Sequence, residues 1–436
     1  MQKPETRLAV TSPPLRYLFA AASFVCVVIS GLSAWHISSR AAGIDFFHYW
    51  SVPSALDKHA VDDIYSDEGK KLLAEIMYRE ALLDSTPDRQ KAATVGTLRI
   101  NNSRIDTVAT PFLFHVFDVL SSGNYEHDHR CFEIVSFTLF ILAVTCLCRL
   151  FRYSRGMTLV LLSVLMYPFD PFRYDASVGN VNRIQVAVFT AIVLLLSAPY
   201  SLKWRAKWPA SGALLGILVA FKPNLYLAPI PLIAWCIMSG QVSRAAAFTG
   251  GIIAGAGTAF LLPAITFGDL SCWSQWTDVL PDILKSTRTL QEGNFGPASL
   301  IFHFTNIDTA MLLTAVMFLL AVALAWLCRK AGERVVPALL VVGPPLMLLS
   351  SRLAWTHYYT LAVPLFLYVM RPTDISRAGV RKFCFLVPLA AFSIVPSKLL
   401  SWPSQTRAAI MNISLLVFLA FAIQEIARGK DASSDQ

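Results

Sequence analysis

Apolar runs long enough to cross a lipid bilayer recur along almost the whole chain, and they leave few folds open. A helix needs about 20 residues to span the hydrocarbon core. Stretches approaching that length lie at 15–37, 132–150, 157–169, 184–200, 209–221, 224–239, 245–265, 308–328, 335–350, 358–370, 383–399 and 408–426. Only 15% of the 436 residues are charged and 55% are apolar, whereas soluble domains carry roughly 25% charged residues. The alternation of a membrane barrel is missing, so helices remain as the way to satisfy backbone groups in lipid. The pattern predicts an all-α polytopic membrane protein, a single domain over 1–436 with about twelve transmembrane helices. Runs such as 157–169, 209–221 and 358–370 give only about 20 Å of helix at 1.5 Å per residue. They are expected to be tilted, broken or set against a cavity.

The net charge of +9 does not call for a nucleic-acid partner, because the Lys and Arg residues are scattered through short loops. With a cytoplasmic N-terminus, the cytoplasmic segments hold 19 of them and the short outer loops 8. That bias follows the positive-inside rule, from which loops above about 60 residues, such as 38–130, are largely exempt. Both termini are therefore expected in the cytoplasm, with the protein in the plasma (inner) membrane. The first run is longer than a secretory h-region and lacks a small-residue cleavage site, so it is expected to stay as a span. Cys26, Cys146, Cys148, Cys236, Cys328 and Cys384 lie in or against apolar runs, where Cys behaves as a small hydrophobe. Cys131 and Cys272 would meet the outer face, and a disulfide between them stays open.

This orientation sends the polar clusters to one side. The outer loop 38–131 contains an amphipathic stretch, Glu68 to Leu83, that fits a helix lying on the membrane surface. Thr110-Pro111-Phe112-Leu113-Phe114 opens a second short helix, with Pro in its first turn. The polar tail 429–436 is expected to be disordered. Internal repeats are not visible, which weakens a transporter built on inverted repeats.

Five clusters carry chemistry-bearing residues. Gly43-Ile44-Asp45-Phe46-Phe47-His48-Tyr49-Trp50 sets a carboxylate among aromatics just after the first span. Asp45 is either a solvated charge or a base whose proton affinity is raised by partial desolvation, with His48 one helical turn along. Gly179-Asn180-Val181-Asn182 precedes another span; its Asn residues can cap the helix or hydrogen-bond sugar hydroxyls. Lys222-Pro223 interrupts about thirty apolar residues. A Lys there either snorkels or marks a functional site, and Pro223 starting a new helix would add a positive dipole end for a phosphate. Gln291 to Ser299, with Asn294, is a polar loop that is either a mere connection or part of the site. Ser350 to Tyr359 gathers Arg352, Trp355, His357 and two Tyr at one boundary. Belt aromatics are routine there, but an Arg with a His five residues on can hold or protonate a phosphate oxygen.

In this order the clusters resemble glycosyltransferase family 87, membrane transferases that use polyprenyl-phosphate sugars and include mycobacterial phosphatidylinositol-mannoside mannosyltransferases. The matching pieces are Asp45-Phe46-Phe47-His48-Tyr49-Trp50, Gly179-Asn180-Val181-Asn182, Lys222-Pro223, Asn294 with Ser299, and Ser351 to Tyr358. Departures are Asn180 where the family often has Gln, Arg352 where Pro is common, Tyr358 where a second His is common, and Thr110-Pro111 in place of Tyr-Pro-Pro. They leave the sugar and acceptor open. The resemblance implies a GT-C-type helical bundle with juxtamembrane helices in a long first outer loop. It also implies inverting transfer from a polyprenyl-phosphate-linked hexose or pentose to a lipid or glycan acceptor, with no metal or other cofactor. Asp45 would be the general base, and Lys222, Arg352 and His357 would hold the donor phosphate and stabilise its developing charge. His48, Tyr49, Trp50, Asn180, Asn182, Asn294 and Trp355 would line the sugar and acceptor sites. Rival readings are a lipid or polysaccharide transporter or flippase, which should place polar residues at mid-depth, and a polyprenyl-pyrophosphate-dependent glycan ligase, which should show more outer-loop Arg.

Overall fold

A computed structural model describes residues 13–56, 61, 63–105, 107–197, 204–286, 293–372 and 403–431. Among them every regular element is helical, and one isolated β-bridge pairs Asn294 with Trp355. The chain enters on α1 (Pro13–Arg40). Four short helices then fill the long loop: α2 (Ile44–Leu56), α3 (Asp67–Ala81), α4 (Asp88–Ile100) and α5 (Pro111–Leu120). Next come α6 (Tyr125–Leu150), α7 (Arg155–Met166), α8 (Asp170–Val178), α9 (Asn182–Ser197), α10 (Trp204–Phe221), α11 (Ile230–Met238) and α12 (Val242–Leu261). After α13 (Ala264–Phe267), α14 (Ser271–Ser286) and α15 (Pro297–Thr305) follow α16 (Ala310–Leu327), α17 (Val336–Ser350), a 3-10 helix Thr356–Ala362, α18 (Val363–Val369) and a last helix Ser404–Asp431.

Local sequence explains many of these starts. Ser66, Thr110, Asn124 and Ser154 each accept a backbone N–H of the turn they open, at Gly69, Leu113, His127 and Met157, satisfying donors that a helix N-terminus otherwise leaves orphaned. Packing then sorts the long helices. The segment Glu333–Ser350 is 83% buried and runs through the middle of the bundle, whereas the apolar windows of α1, α12 and α16 are 17–28% buried. Leu32, Ile253, Met311 and Leu319 stand 64–85% exposed on those outer helices. Apolar exposure on that scale belongs against lipid. α10 and α12 meet through Gly212, Gly216, Gly251 and Gly255, where an added Cβ would lie 2.1–2.2 Å from a backbone oxygen of the facing helix. Such small-residue seams let membrane helices approach closely.

The protein is thus a multi-pass helical membrane protein, and among the described residues fewer helices reach full spanning length than there are apolar runs. Six described helices are long and apolar enough to cross, or seven if α8 and α9, bent by 118°, count as one broken span. The run 224–239 is helical only over Ile230–Met238, because residues 224–229 form turns. Pro229 and Pro231 there fit a helix start and not a helix interior. The run 358–370 divides into the 3-10 helix and the seven residues of α18. The run 383–399 lies outside the described residues. Residues 429–431, expected in a disordered tail, extend the last helix, and the rest of that tail is outside the described residues. Cys131 and Cys272 are free thiols, one exposed and one buried, so no disulfide joins them.

Candidate active site

The site forms where two tight turns press a carboxylate against an amide. Gly43, at φ +70°, turns the chain from α1 into α2 and puts Asp45 in the first turn of α2. Gly179, also at φ +70°, ends α8, and a Cβ on it would lie 2.7 Å from the Cβ of Phe46. Only Gly tolerates both that backbone and that approach without strain. The residue after it, Asn180, is thereby delivered to α2.

Asn180 is the hub. Its amide nitrogen donates to Asp45 Oδ2 at 2.6 Å and lies 3.2 Å from both the Tyr49 hydroxyl and His357 Nε2. Its amide oxygen accepts from Lys222 Nζ at 2.7 Å. A carboxylate can only accept and an ammonium only donate, so the amide has one workable orientation. The amide nitrogen has two hydrogens for its three neighbours Asp45, Tyr49 and His357, and the Asp45 contact is the shortest. Lys222 also reaches Asn182 Oδ1 at 3.4 Å and stands 4.3 Å from the centre of the Tyr358 ring. His357 Nε2 is 3.7 Å from Asp45, whose side chain is 25% exposed. The carboxylate is therefore enclosed yet reachable by a substrate.

A buried charged layer backs this cluster. Asn182 donates to Asp175 at 2.8 Å and to the His357 carbonyl at 3.2 Å. Asp175 accepts Arg183 Nε at 2.7 Å, and Arg183 grips Glu133 with two bonds of 2.9 and 2.7 Å. Ser38 donates to Glu133 at 2.6 Å. The Arg183 guanidinium also lies 5.1–5.9 Å from the ring centres of Phe132, Phe137 and Phe172. Beside Lys222, Asn224 and Gln185 exchange amide bonds of 2.8 and 3.3 Å between the turn and α9. Sequence reasoning missed Glu133 and the role of Arg183. The available signal was a Glu inside the run 132–150, where an ionisable residue calls for a partner.

The structure gathers Asp45, Tyr49, Asn180, Asn182, Lys222 and His357. It places the other predicted residues elsewhere. His48, one turn from Asp45, turns away, and its buried Nε2 has no hydrogen-bond partner among the described residues. Trp50 donates to Asp128 at 3.0 Å in the apolar core of the long loop. Asn294 pins a loop: its amide nitrogen donates to the Arg352 carbonyl and its oxygen accepts from Gly296 and Ala354. Trp355 pairs with Asn294 through backbone, with its ring against Gly293. Arg352 is ion-paired with Asp308. The helix N-terminus expected at Pro223 is absent: Lys222 follows the C-terminus of α10, bonding back to Leu218. That dipole end favours the ammonium itself and adds nothing for an anion.

A helical membrane protein with a carboxylate, a lysine and a histidine converging on one amide is the class that fold and site define. Glycosyltransferase family 87 matches residues 110–352, and the chain belongs to that family of membrane glycosyltransferases. The matched segment contains Asn180, Asn182, Lys222, Asn294 and Arg352, while Asp45 and His357 lie outside it and join the site through the fold. No curated protein and no solved structure matches the chain.

Proposed function

We propose that the protein transfers a hexose or pentose from a polyprenyl-phosphate-linked donor to a hydroxyl of a lipid or glycan acceptor. The work is done on the extracytoplasmic face of the plasma membrane, with both termini cytoplasmic and no metal or other cofactor. Asp45 takes the acceptor proton as the acceptor oxygen attacks the anomeric carbon. The bond from that carbon to the phosphate oxygen breaks with inversion, and the electron pair stays on the phosphate. Lys222 exchanges its amide partners for that phosphate. A preorganised cation at the place where charge develops supplies the largest share of such catalysis.

The observation that carries this reading is the Asn180 hub, which holds a base and a phosphate-sized cation on opposite ends of one amide. Transporter chemistry gives no reason to keep a carboxylate and an ammonium apart in this way.

The test is transfer by the purified protein in nanodiscs, given labelled polyprenyl-phosphate mannose, arabinose or glucose with membrane lipid extract. Wild type is expected to yield a labelled product with one donor. Loss of a general base costs roughly 100- to 10,000-fold, so Asp45→Asn is expected to lose transfer while binding donor within a few fold. Near-normal turnover by Asp45→Asn would remove Asp45 as the base. Donor binding with no turnover of any sugar by wild type would sink the transfer reading.

A further inference from the structure

A cavity lies beside the turn at Gly43 that leads into α2, and glycosyl transfer as proposed does not use it. It encloses about 270 Å³ where the end of α1 meets α4 and α6. Trp35 and Ser38 line it from the last turns of α1, Arg89 from α4, and His129, Arg130 and Glu133 from α6. The apolar window of α1, Ala20–Arg40, is 17% buried, so the cavity opens where a lipid-facing helix leaves the hydrocarbon. Trp at that level is a common interfacial residue.

Its charges are arranged unevenly. Glu133 is held by Arg183, and Arg89 is held by Glu126 at 3.2 Å, by the Ser39 carbonyl and by His129 at 3.1 Å. Arg130 is exposed and makes no hydrogen bond or ion pair among the described residues. The cavity therefore offers one uncommitted guanidinium and a second, preorganised one. The volume equals roughly nine waters at about 30 Å³ each, enough for a phosphodiester and a small polar group. It is too small for acyl chains, but Ile29 and Leu32 on α1 and Ile134 on α6, 50–64% exposed, lead away from its mouth along the lipid face.

We propose that this cavity binds the headgroup of an anionic phospholipid, with Arg130 and Arg89 on its phosphate. Two of its walls are also supports of the Asp45 site. The His129 ring abuts Gly43, where a Cβ would lie 2.5 Å from Nε2, and Glu133 begins the chain of contacts through Arg183 and Asp175 to Asn182. A headgroup here presses on both anchors without touching the Asn180 hub.

The test is native mass spectrometry of the delipidated full-length protein, titrated with dioleoyl-phosphatidylglycerol or dioleoyl-phosphatidylcholine. One saturable phosphatidylglycerol adduct is expected, with phosphatidylcholine at least tenfold weaker. A charged hydrogen bond contributes about 1.5–3 kcal/mol, with 1.4 kcal/mol for each factor of ten. Arg130→Ala is therefore expected to weaken the adduct about tenfold, Arg130→Lys less, and neither to change the melting temperature because the side chain is exposed. Asp45→Asn should bind the lipid like wild type. Equal binding of the two lipids, or an Arg130→Ala variant that binds like wild type, would overturn the proposal. So would displacement of phosphatidylglycerol by inorganic phosphate or by undecaprenyl phosphate at matching concentrations, which would make this a free-anion site or part of the donor pocket. Every arm reads binding and none reads turnover, so the result stands whether or not the transfer reading does.

Discussion

Replacing Arg183 by Met tests whether the buried charged layer holds the site together. Arg183 is 0% exposed, as is Asp175, and Glu133 is 2% exposed. The substitution leaves two buried carboxylates, each with one neutral donor: Ser38 for Glu133 and Asn182 for Asp175. Removing one partner of a buried ion pair costs about 3–5 kcal/mol. Two carboxylates lose their partner here, so Arg183→Met is expected at or above the upper end, about 5 kcal/mol. Denaturant unfolding of the detergent-solubilised protein, followed by near-UV circular dichroism, reads this directly. The control is the apolar set Glu133→Met, Asp175→Leu and Arg183→Met made together. Replacing a whole buried ionic network by apolar residues of similar volume is often close to neutral in stability, so this variant is expected within about 2 kcal/mol of wild type. Its transfer rate should still fall, because Asn182 loses its carboxylate anchor, and a misplacement of about 1 Å can cost 100-fold. An Arg183→Met variant as stable as wild type would refute the view that this triad holds the turn between α8 and α9. An apolar triple variant with full activity would reduce the triad to a purely structural role.

Three further substitutions address the hub. Lys222→Ala removes the phosphate cation and is expected to weaken donor binding roughly 10- to 100-fold, the worth of one charged hydrogen bond; a donor titration showing unchanged affinity would exclude a phosphate role. Gly179→Ala combines a left-handed backbone, about 1–2 kcal/mol for an L-residue, with a Cβ 2.7 Å from that of Phe46. It should lower the transfer rate more than it raises the donor KM, and a normal rate would show that the contact with α2 is not needed. Asn180→Asp turns the Lys222 amide contact into an ion pair and sets a second carboxylate against Asp45, so donor affinity is expected to drop at least tenfold, at about 1.4 kcal/mol per factor of ten, in the same titration; equal or tighter binding would contradict the hub geometry.

What could be read from the chain, and what could not, follows from the range over which each interaction acts. Asp45, Lys222 and His357 were legible because an ionisable group beside membrane-length apolar runs is expensive unless it has work to do. The caps at Thr110 and Ser154 are local bonds and leave local signatures. The choice between His48 and Tyr49 was not legible. Both lie about one turn from Asp45, and only the rotation of α2 against Gly179 puts Tyr49 on the Asn180 side. Arg183 was not legible either, since its partner Glu133 is 50 residues away and sequence distance hides such pairs. Pro223 predicts a helix start beside Lys222, yet the paired prolines at 229 and 231 move that start seven residues on, to Ile230.

The identity of residue 180 ties these pieces together. Lys222 sits within reach of the Asp45 and Asp175 network but bonds directly to the oxygens of two neutral amides, Asn180 and Asn182. Hydrogen bonds from a charged donor contribute about 1.5–3 kcal/mol each, and a phosphate in place of those amide oxygens would add the attraction between opposite charges. The proposed exchange of amide oxygens for a phosphate therefore replaces each bond with a stronger one. The same Asn180 amide spends its N–H on Asp45 Oδ2, which fixes the carboxylate. An amide here can donate to a carboxylate and accept from a cation at once, which neither a carboxylate nor a second lysine could do.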